Sequence, residues 1–554
     1  MILWVDAICI NQGDIHEREH QVGIMGSIYR EARTVRPWLD EDLDLDLDCF
    51  RALYSLVPGF MPEEEDIRAS LDDTYDFGGS EPLLETLGRS SHERGQCVRL
   101  RDFKTEFWDP VARIWRNPYW QRLWVQQELL LGRELEFSFR KTKVPGPLLL
   151  RFDVALNEEL MDMSLGKELD QPSDPRWLSW ISLSQATKIL PSYATGRKEI
   201  MSVDAPGKGE PAAINKDKMA LVKLFLNSSS LKATETRDRV YGFLGLATDY
   251  TEGDIDVAYD LTVSQVYAKI FRHYLKTYER LDFLAYSCRD DAHLETWDPI
   301  ELSLPSWMPA PGKSAANLTV PSIPIVPFRR VPEIDSSLRL LSEGLRIDTI
   351  RSSSLEVSLT LTLPNILERL LTITSQNPAA CDRTNTLEVA AKILCELSNL
   401  ESLNITEEDL QMIIYFMMLK PPVIDWDKRS IWDLVYRMTA KSNPVAEFQG
   451  RIMKLRVALM QRGCFVNTGK GRIGYAITQD PRIGVDAGDE VWFIPGCVVP
   501  IALRPNNAVP PEYMLVGPVI LAGFYREAFY KELETTPISD WICDGQQVQT
   551  IKIA

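Results

Sequence analysis

Apolar residues dominate the first ten positions of the chain, and their spacing then changes. Residues 1–10 read MILWVDAICI, with one acid, Asp6, inside the run. Its bulky and β-branched residues predict a buried strand. Asp14, followed three residues later by Glu17, predicts a capped helix start, and apolar residues then recur every three or four positions. The run TVRPWL at 34–39 predicts a further strand, so the segment predicts a strand–helix–strand unit of a parallel sheet.

A second patterned segment spans residues 117–139. Asn117 before Pro118 predicts a helix start, because Asn caps helices and Pro is tolerated at the first helical position. An apolar face follows, and Gly132 predicts the end of the helix. Apolar and polar residues then alternate in ELEFSF, residues 134–139, which predicts a half-buried strand.

Composition divides the chain into three predicted regions. The first is an α/β domain over 1–142, interrupted by a polar, irregular insertion over 41–105 that is rich in Gly, Pro and Glu. Residues 143–460 are predicted to be mainly helical, with a proline-rich connector near 303–327. Short β-like runs broken by Gly, Pro and Asn predict a small β-rich module over 461–554.

The best amphipathic helix is predicted at residues 260–278, DLTVSQVYAKIFRHYLKTY. Thr262 and Gln265 have the spacing of a capping box, in which each side chain bonds the other residue's backbone N–H. The apolar stripe that follows predicts burial against a core.

Charge and cysteine usage exclude several classes of protein. The formal net charge is -18, which disfavours nucleic acid and anionic membranes as partners. Nine cysteines are scattered without a CxxC pair, which favours a reduced chain in the cytoplasm. Five histidines and no HExxH motif predict no metal site. No apolar run approaches the roughly 18 residues that span a bilayer, and the N-terminal run lacks the basic flank of a signal peptide.

Four stretches, in order, resemble the fungal heterokaryon-incompatibility (HET) domain proteins. Two are similar to motifs of the HET domain itself: LWVDAICINQGDIHEREHQVGIMGSIYREARTVRPWL and RLWVQQELLLGRELEF. The other two, TETRDRVYGFLGLA and LPSWMP, resemble segments that recur downstream in many members. Members normally begin with a strand of the type Y-x-A-L-S-Y-x-W-G and a linking helix. The sequence starts at the second motif, which predicts a truncated domain with an incomplete first strand.

The HET domain in turn resembles the TIR fold, a flavodoxin-like parallel sheet flanked by helices. The resemblance therefore implies a TIR-like α/β domain at the N-terminus. LWVQQELLLGRELEF is similar to the TIR pattern W-[CV]-x-x-E-[LI] followed by a strand. In TIR enzymes that cleave NAD the glutamate of that pattern is catalytic, and the matching residue is Glu128. The alternative is a glutamate that bonds a neighbouring loop or faces water.

Further candidates lie near the predicted carboxyl end of the first strand, where open α/β sheets bind ligands. Asp6, Asn11 and Gln12 are candidate cleft residues, and structural support is the alternative for Asp6. Trp124 joins them because it lies one helical turn before Glu128.

The resemblance implies a role in fungal non-self recognition that ends in programmed cell death. No cofactor is required, and NAD is a possible substrate if Glu128 is catalytic. One alternative is therefore an NAD-cleaving hydrolase. Another is an inactive paralogue that acts only as an interaction module. Protein partners or self-association are expected in each case.

Overall fold

The structure is a computed structural model of the chain, and its described residues form two compact units. The N-terminal unit comprises Met1–Leu224 and Ser230–Asp260, and the C-terminal unit comprises Phe225–Ser229 and Leu261–Ala554. None of the helices in the described ranges is long and apolar enough to cross a membrane. The described residues are 3–40, 114, 117–139, 142–146, 149, 220–251, 253–286, 304–309, 311, 325–354, 369–370, 372–373, 376, 463–477, 484–521, 524, 533 and 535–554. The predicted insertion over 41–105 lies outside them, and the predicted domain boundaries remain predictions.

A small sheet forms the centre of the N-terminal unit. Its strands are β1 (Thr34–Val35), β2 (Trp38–Asp40), β3 (Glu134–Phe139) and β4 (Thr142–Pro145). Both β1 and β2 pair with β3 in parallel, whereas β4 pairs with β3 antiparallel. The parallel pairing predicted from the two patterned segments is therefore confirmed. Leu135, Phe137 and Phe139 of β3 are buried, as their alternation predicts.

Helices accompany this sheet in the N-terminal unit, and the start of the longest one is capped by a side chain. The Asp14 side chain accepts hydrogen bonds from the backbone N–H groups of His16 and Glu17, which confirms the predicted N-cap. The helices of this unit are α1 (Asp6–Cys9), α2 (Ile15–Glu31), α3 (Val125–Leu131) and α5 (Asp238–Leu244). Helix α4 spans Leu221–Leu226, and a 3-10 turn spans Asn227–Ser230. The first four residues of α4 belong to the N-terminal unit.

The predicted first strand is wrong for the described residues 3–10. Residues 3–5 have no regular structure and α1 is a single helical turn. Leu3 is 71% exposed and Ile8 is 81% exposed, so the run does not face a core along its length. The physical reason is that a strand needs a neighbour to satisfy its backbone N–H and C=O groups. None of the four described strands of this unit pairs with the segment.

The single helix predicted after Asn117 is also divided. Asn117 does cap, since its side chain accepts a hydrogen bond from the Tyr119 N–H, but the element is a 3-10 turn (Pro118–Gln121). The helix α3 follows as a separate element and ends at Leu131, as Gly132 predicts. A Cβ at Gly132 would lie 2.6 Å from Val35 Cγ2, so a glycine is required by close approach to β1.

Two glycines bring α2 and α5 into backbone contact. A Cβ at Gly26 would lie 2.7 Å from the Gly245 Cα, and a Cβ at Gly245 would lie 2.7 Å from the Gly26 Cα. Arg30 also donates to the Gly245 carbonyl at 3.1 Å. The Gln127 side chain in α3 donates to the Gly242 carbonyl at 2.9 Å. The α5 segment is therefore an integral part of the N-terminal unit.

The C-terminal unit opens with the amphipathic helix predicted from the sequence. Helix α6 spans Val263–Tyr278, and both hydrogen bonds of the capping box between Thr262 and Gln265 are present. Its Phe271 ring contacts the buried Trp307, which belongs to the LPSWMP motif. The Trp307 indole N–H donates to the Leu338 carbonyl at 2.8 Å. A one-turn helix, α7, follows at Phe283–Tyr286.

Most strands of the C-terminal unit belong to one barrel-like sheet. The strands are β5 (Glu333–Ile334), β6 (Leu340–Ser353), β7 (Gly463–Thr468), β8 (Ile473–Ile477), β9 (Glu490–Phe493), β10 (Ile501–Pro505), β11 (Tyr513–Leu521), β12 (Ile542–Cys543), β13 (Gln546–Gln547) and β14 (Gln549–Ile553), with a 3-10 turn at Ile538–Asp540. Six antiparallel strands close the barrel, in a ring that runs β6–β9–β10–β11–β8–β7 and returns to β6. Another strand, β14, pairs with the first half of β6 and touches β11 in parallel at Tyr513 and Ile553.

The predicted β-rich C-terminal region is confirmed, but it recruits a strand from the region predicted to be mainly helical. The strand β6 lies at residues 340–353, far before residue 461. Its neighbours β7, β9 and β14 all come from the C-terminal part of the chain. The sheet therefore depends on pairing between residues that are distant in sequence.

Candidate functional site

Glu128 lies in the first turn of α3, on the N-terminal unit. Its Oε2 atom accepts a hydrogen bond of 3.0 Å from the Tyr119 hydroxyl, which the preceding 3-10 turn supplies. The 3-10 turn is set by Asn117 and Pro118, so the division of the predicted helix is what presents Tyr119 to the carboxylate.

Three further side chains act electrostatically on Glu128 or its neighbours. Asp6 in α1 and the exposed Arg122 both interact with the Glu128 carboxylate. Tyr29 in α2 interacts with the charges of Glu128, Asp6 and Arg122. We call Asp6, Tyr29, Tyr119, Arg122 and Glu128 the Glu128 cluster.

Burial raises the pKa of Glu128 above its ordinary value. The nearby Asp6 charge also raises this pKa, while the Tyr119 hydrogen bond and the Arg122 charge lower it. Burial is also the first cause that raises the pKa of Tyr119, followed by the charge of Glu128. The two phenols of the cluster therefore stay protonated at neutral pH.

Tyr29 is held by the residues that precede α1. Its ring packs edge-on against Trp4, with ring centroids 5.9 Å apart. Burial, with the charges of Glu128 and Asp6, raises the pKa of Tyr29. The segment predicted as the first strand thus reaches the Glu128 cluster through an aromatic contact, although it is not a strand.

The sequence candidates divide into two groups. Asp6 and Glu128 are brought close enough to interact. Asn11 makes local contacts instead: its side chain accepts from the Gly13 N–H at 3.1 Å, and its own N–H donates to Glu17. Gln12 is exposed. Trp124 hydrogen-bonds Asp238, away from the contacts that define the Glu128 cluster.

Residues 1–128 match the family model described as heterokaryon incompatibility protein (HET). The N-terminal part of this chain is therefore similar to the HET domain. The chain is similar to heterokaryon incompatibility protein 6, OR allele, of Neurospora crassa, with 26% identity over 281 residues. That alignment covers 49% of this chain and 37% of the relative, so the chain spans little more than a third of that protein's length. No solved structure matches the chain.

The HET match ends at Glu128, and the structure extends the N-terminal unit beyond it. Asp238 in α5 accepts a 2.6 Å hydrogen bond from the Tyr259 hydroxyl, and the Arg18 guanidinium lies 3.8 Å from the centre of the Tyr259 ring. Burial raises the pKa of Asp238 to about 6, against the hydrogen bonds from Tyr259 and Trp124. We call Arg18, Trp124, Asp238 and Tyr259 the Asp238 cluster.

Sequence reasoning missed Tyr29, Tyr119 and Asp238 as site residues. Tyr29 has the spacing of the apolar stripe of α2, so its hydroxyl carries no signal in the pattern. Tyr119 follows the Asn-Pro start directly, and only the 3-10 geometry directs it to Glu128. A search for tyrosines near each motif acid would have found Tyr119.

The described residues hold no group of three or more His, Cys, Asp or Glu side chains placed to bind a metal ion. The Glu128 cluster itself offers two carboxyl groups, two phenols and a guanidinium. A carboxylate here can stabilise a developing positive charge, and an exposed arginine can hold an anionic group.

Proposed function

We propose that this chain is a HET-domain protein that acts in fungal heterokaryon incompatibility, where recognition of non-self ends in programmed cell death. The HET match over residues 1–128 carries the proposal, and the name of the N. crassa relative supports it. The N-terminal unit would be the effector, acting in the cytoplasm with protein partners or by self-association.

The test is inducible expression of the full chain in a filamentous fungus, with hyphal death followed by uptake of a vital dye. We expect death on induction of the wild type. A second strain expresses the Gly26→Leu variant, which forces a side chain into the backbone contact with Gly245 and should abolish death by disrupting the unit. Healthy hyphae that contain the wild-type chain at the induced level would contradict the proposal.

A second candidate function is cleavage of NAD by the Glu128 cluster, in a TIR-like manner. The supporting observation is a partly buried carboxyl group, hydrogen-bonded to Tyr119 and close to Asp6. Cleavage of the nicotinamide–ribose bond develops positive charge on the ribose, which a carboxylate stabilises. Water then adds to the same carbon, so the products are nicotinamide, ADP-ribose and a proton.

The ionised and protonated forms of Glu128 differ in this reaction, since only the ionised form stabilises the positive charge on the ribose. Because burial raises the pKa of Glu128, activity should fall on acidification at a higher pH than for an ordinary glutamate. The exposed Arg122, whose charge acts on Glu128, would then hold the pyrophosphate of the dinucleotide.

Purified full-length chain incubated with NAD, with nicotinamide release followed by chromatography, tests this second function. We expect Glu128→Gln to lower the rate by at least about a hundredfold. Glu31→Gln is the matched control, because Glu31 lies exposed on α2 in a salt bridge with Arg133. Absence of turnover in the wild type together with induced death would instead favour an interaction module, and light scattering would then measure its self-association.

A further inference from the structure

Two buried thiols of the C-terminal unit have opposite electrostatic surroundings. Cys543, at the end of β12, is 7% exposed, and Cys497 is 4% exposed. Neither is in a disulfide. The two thiols are therefore exposed to nearly the same extent, but the charged groups beside them differ in sign.

Cys543 lies against a lysine. The Lys470 ammonium donates to Cys543 Sγ at 2.9 Å, and the same ammonium forms a 2.8 Å ion pair with Asp544. Burial opposes the charge on Lys470, but its bonds to Asp544 and Cys543 outweigh that effect and raise the lysine pKa, so Lys470 remains a cation. The thiol hydrogen of Cys543 is directed at the Ile347 carbonyl, 3.7 Å away.

Cys497 has a carboxylate as its neighbour instead. Burial raises the pKa of the Cys497 thiol well above its ordinary value, and the charge of Asp282 raises it further. Its thiol donates to the Leu281 carbonyl at 3.7 Å. A thiolate at Cys497 would therefore face a negative charge, whereas a thiolate at Cys543 would face a positive one.

The two charged residues beside Cys543 reach the surface, although the thiol itself is buried. The Lys470 side chain is 29% exposed and the Asp544 side chain is 72% exposed. Asp544 and Gly545 adopt positive φ angles of 52° and 76° in the turn that follows β12. This turn keeps Asp544 outside while Cys543 packs in the core.

We propose that Cys543 is a peroxide-reactive thiol activated by Lys470. In this reaction the Cys543 thiolate attacks one oxygen of hydrogen peroxide, an S–O bond forms and the O–O bond breaks. The sulfur is oxidised by two electrons to sulfenic acid, and the peroxide is reduced to water. The thiol first loses its proton to solvent, the Lys470 ammonium then protonates the departing hydroxide to water, and Lys470 takes a proton back from solvent, so that one thiol and one peroxide give one sulfenic acid and one water. A cation beside the sulfur stabilises the attacking thiolate, and this is the feature that distinguishes reactive from inert cysteines.

The test treats folded full-length chain with hydrogen peroxide, traps sulfenic acid with dimedone and quantifies each cysteine by mass spectrometry. We expect Cys543 to be trapped at least about tenfold faster than Cys497, because the Lys470 ammonium stabilises a thiolate at Cys543 whereas the Asp282 charge disfavours one at Cys497. Equal rates at the two positions would overturn the proposal.

Two variants separate activation from folding. Lys470→Met keeps the length of the side chain but removes its charge, and should slow trapping at Cys543 about tenfold. Lys470→Arg keeps a cation and should restore most of the rate. Circular dichroism checks that both variants are folded. An unchanged rate in a folded Lys470→Met variant would contradict the role of the lysine.

Discussion

The two units bury carboxylates in different ways. In the C-terminal unit Asp348 pairs with Arg472 at 3.1 Å, and Asp489 pairs with Arg504 through two hydrogen bonds of 2.7 and 2.9 Å. Both aspartate side chains are 2% exposed. These pairs lie beside the turns that join barrel strands, and their charges are matched by direct contact.

In the N-terminal unit the hydrogen bonds come from tyrosines instead. Glu128 accepts from Tyr119 and Asp238 accepts from Tyr259, while arginines act on both at longer range. A phenol satisfies the carboxylate as an acceptor but brings no charge, so burial raises the pKa of both acids. The comparison indicates that these two barrel acids are held by direct ion pairs, whereas the N-terminal unit holds two acids whose pKa is raised by burial.

The largest expected effect comes from breaking a barrel pair. Arg504→Met leaves Asp489 buried without its bidentate partner, so we expect the free energy of unfolding to fall by about 3 kcal/mol. Urea unfolding followed by tryptophan fluorescence measures it. Arg133→Met is the contrast, because its salt bridge with Glu31 is exposed, and it should cost less than about 1 kcal/mol. Equal losses would remove the distinction between buried and exposed pairs.

The next effect tests the close contact between α2 and the end of α5 in the N-terminal unit. Gly26→Ala places a Cβ 2.7 Å from the Gly245 Cα, so we expect a loss of about 1–3 kcal/mol in thermal or urea unfolding. Gly23→Ala on the same helix is the matched control. Its Cβ would meet only Val257 Cγ2 at 3.9 Å, and alanine should stabilise the helix by about 0.5–1 kcal/mol. A neutral Gly26→Ala variant would show that the helices can separate.

The raised pKa of Asp238 makes the stability of the folded chain depend on pH. Its pKa is about 6 in the folded chain and 3.8 ordinarily, so the folded state binds the proton more tightly than the unfolded state. This contribution to stability is therefore present below about pH 4 and is lost as the pH rises to about 6. Because Asp238 is partly exposed, we expect its protonation to contribute only about 1–2 kcal/mol to the free energy of unfolding. The difference in unfolding midpoint between wild type and Asp238→Asn, measured across that range, isolates it from other acids.

The smallest effect concerns Tyr119. Tyr119→Phe removes a hydrogen bond that lowers the pKa of Glu128, so this pKa should rise further. Carbon NMR of the glutamate carboxyl groups measures it without requiring any activity. Tyr259→Phe is the parallel change for Asp238, and it should leave Glu128 unmoved. A pKa of Glu128 that stays constant would show that the Tyr119 hydrogen bond does not lower it.

Elements defined by neighbouring residues could be predicted from the sequence. The capping box of Thr262 and Gln265 and the alternation of β3 involve residues within a few positions of each other, and both are present. The N-terminal run has the pattern of a strand and is not one in its described part, because a strand also requires a partner. The strand β6 escapes prediction for the related reason that its partners lie far along the chain.

The candidate site divides in the same way. Glu128 follows from the resemblance and Asp6 from an acid in an apolar run, and the structure brings them together. The spacing of Tyr29 and Tyr119 does not mark them as site residues, because one lies in an apolar stripe and the other directly after a helix cap. Their relation to Glu128 arises only when α2 and the 3-10 turn pack beside α3.

The pairing of β14 with β6 means that the sheet can be completed only late in synthesis of the chain. Gln549 to Ile553 pair with Leu340 to Gly344, so the first half of β6 depends on residues that the ribosome adds much later in synthesis. Until then this edge of β6 lacks its β14 neighbour, and an unpaired strand edge favours aggregation. Emergence of β14 from the ribosome is thus the event that lets β6 acquire this neighbour, and a stop codon before Gln549 would leave a product unable to finish its sheet.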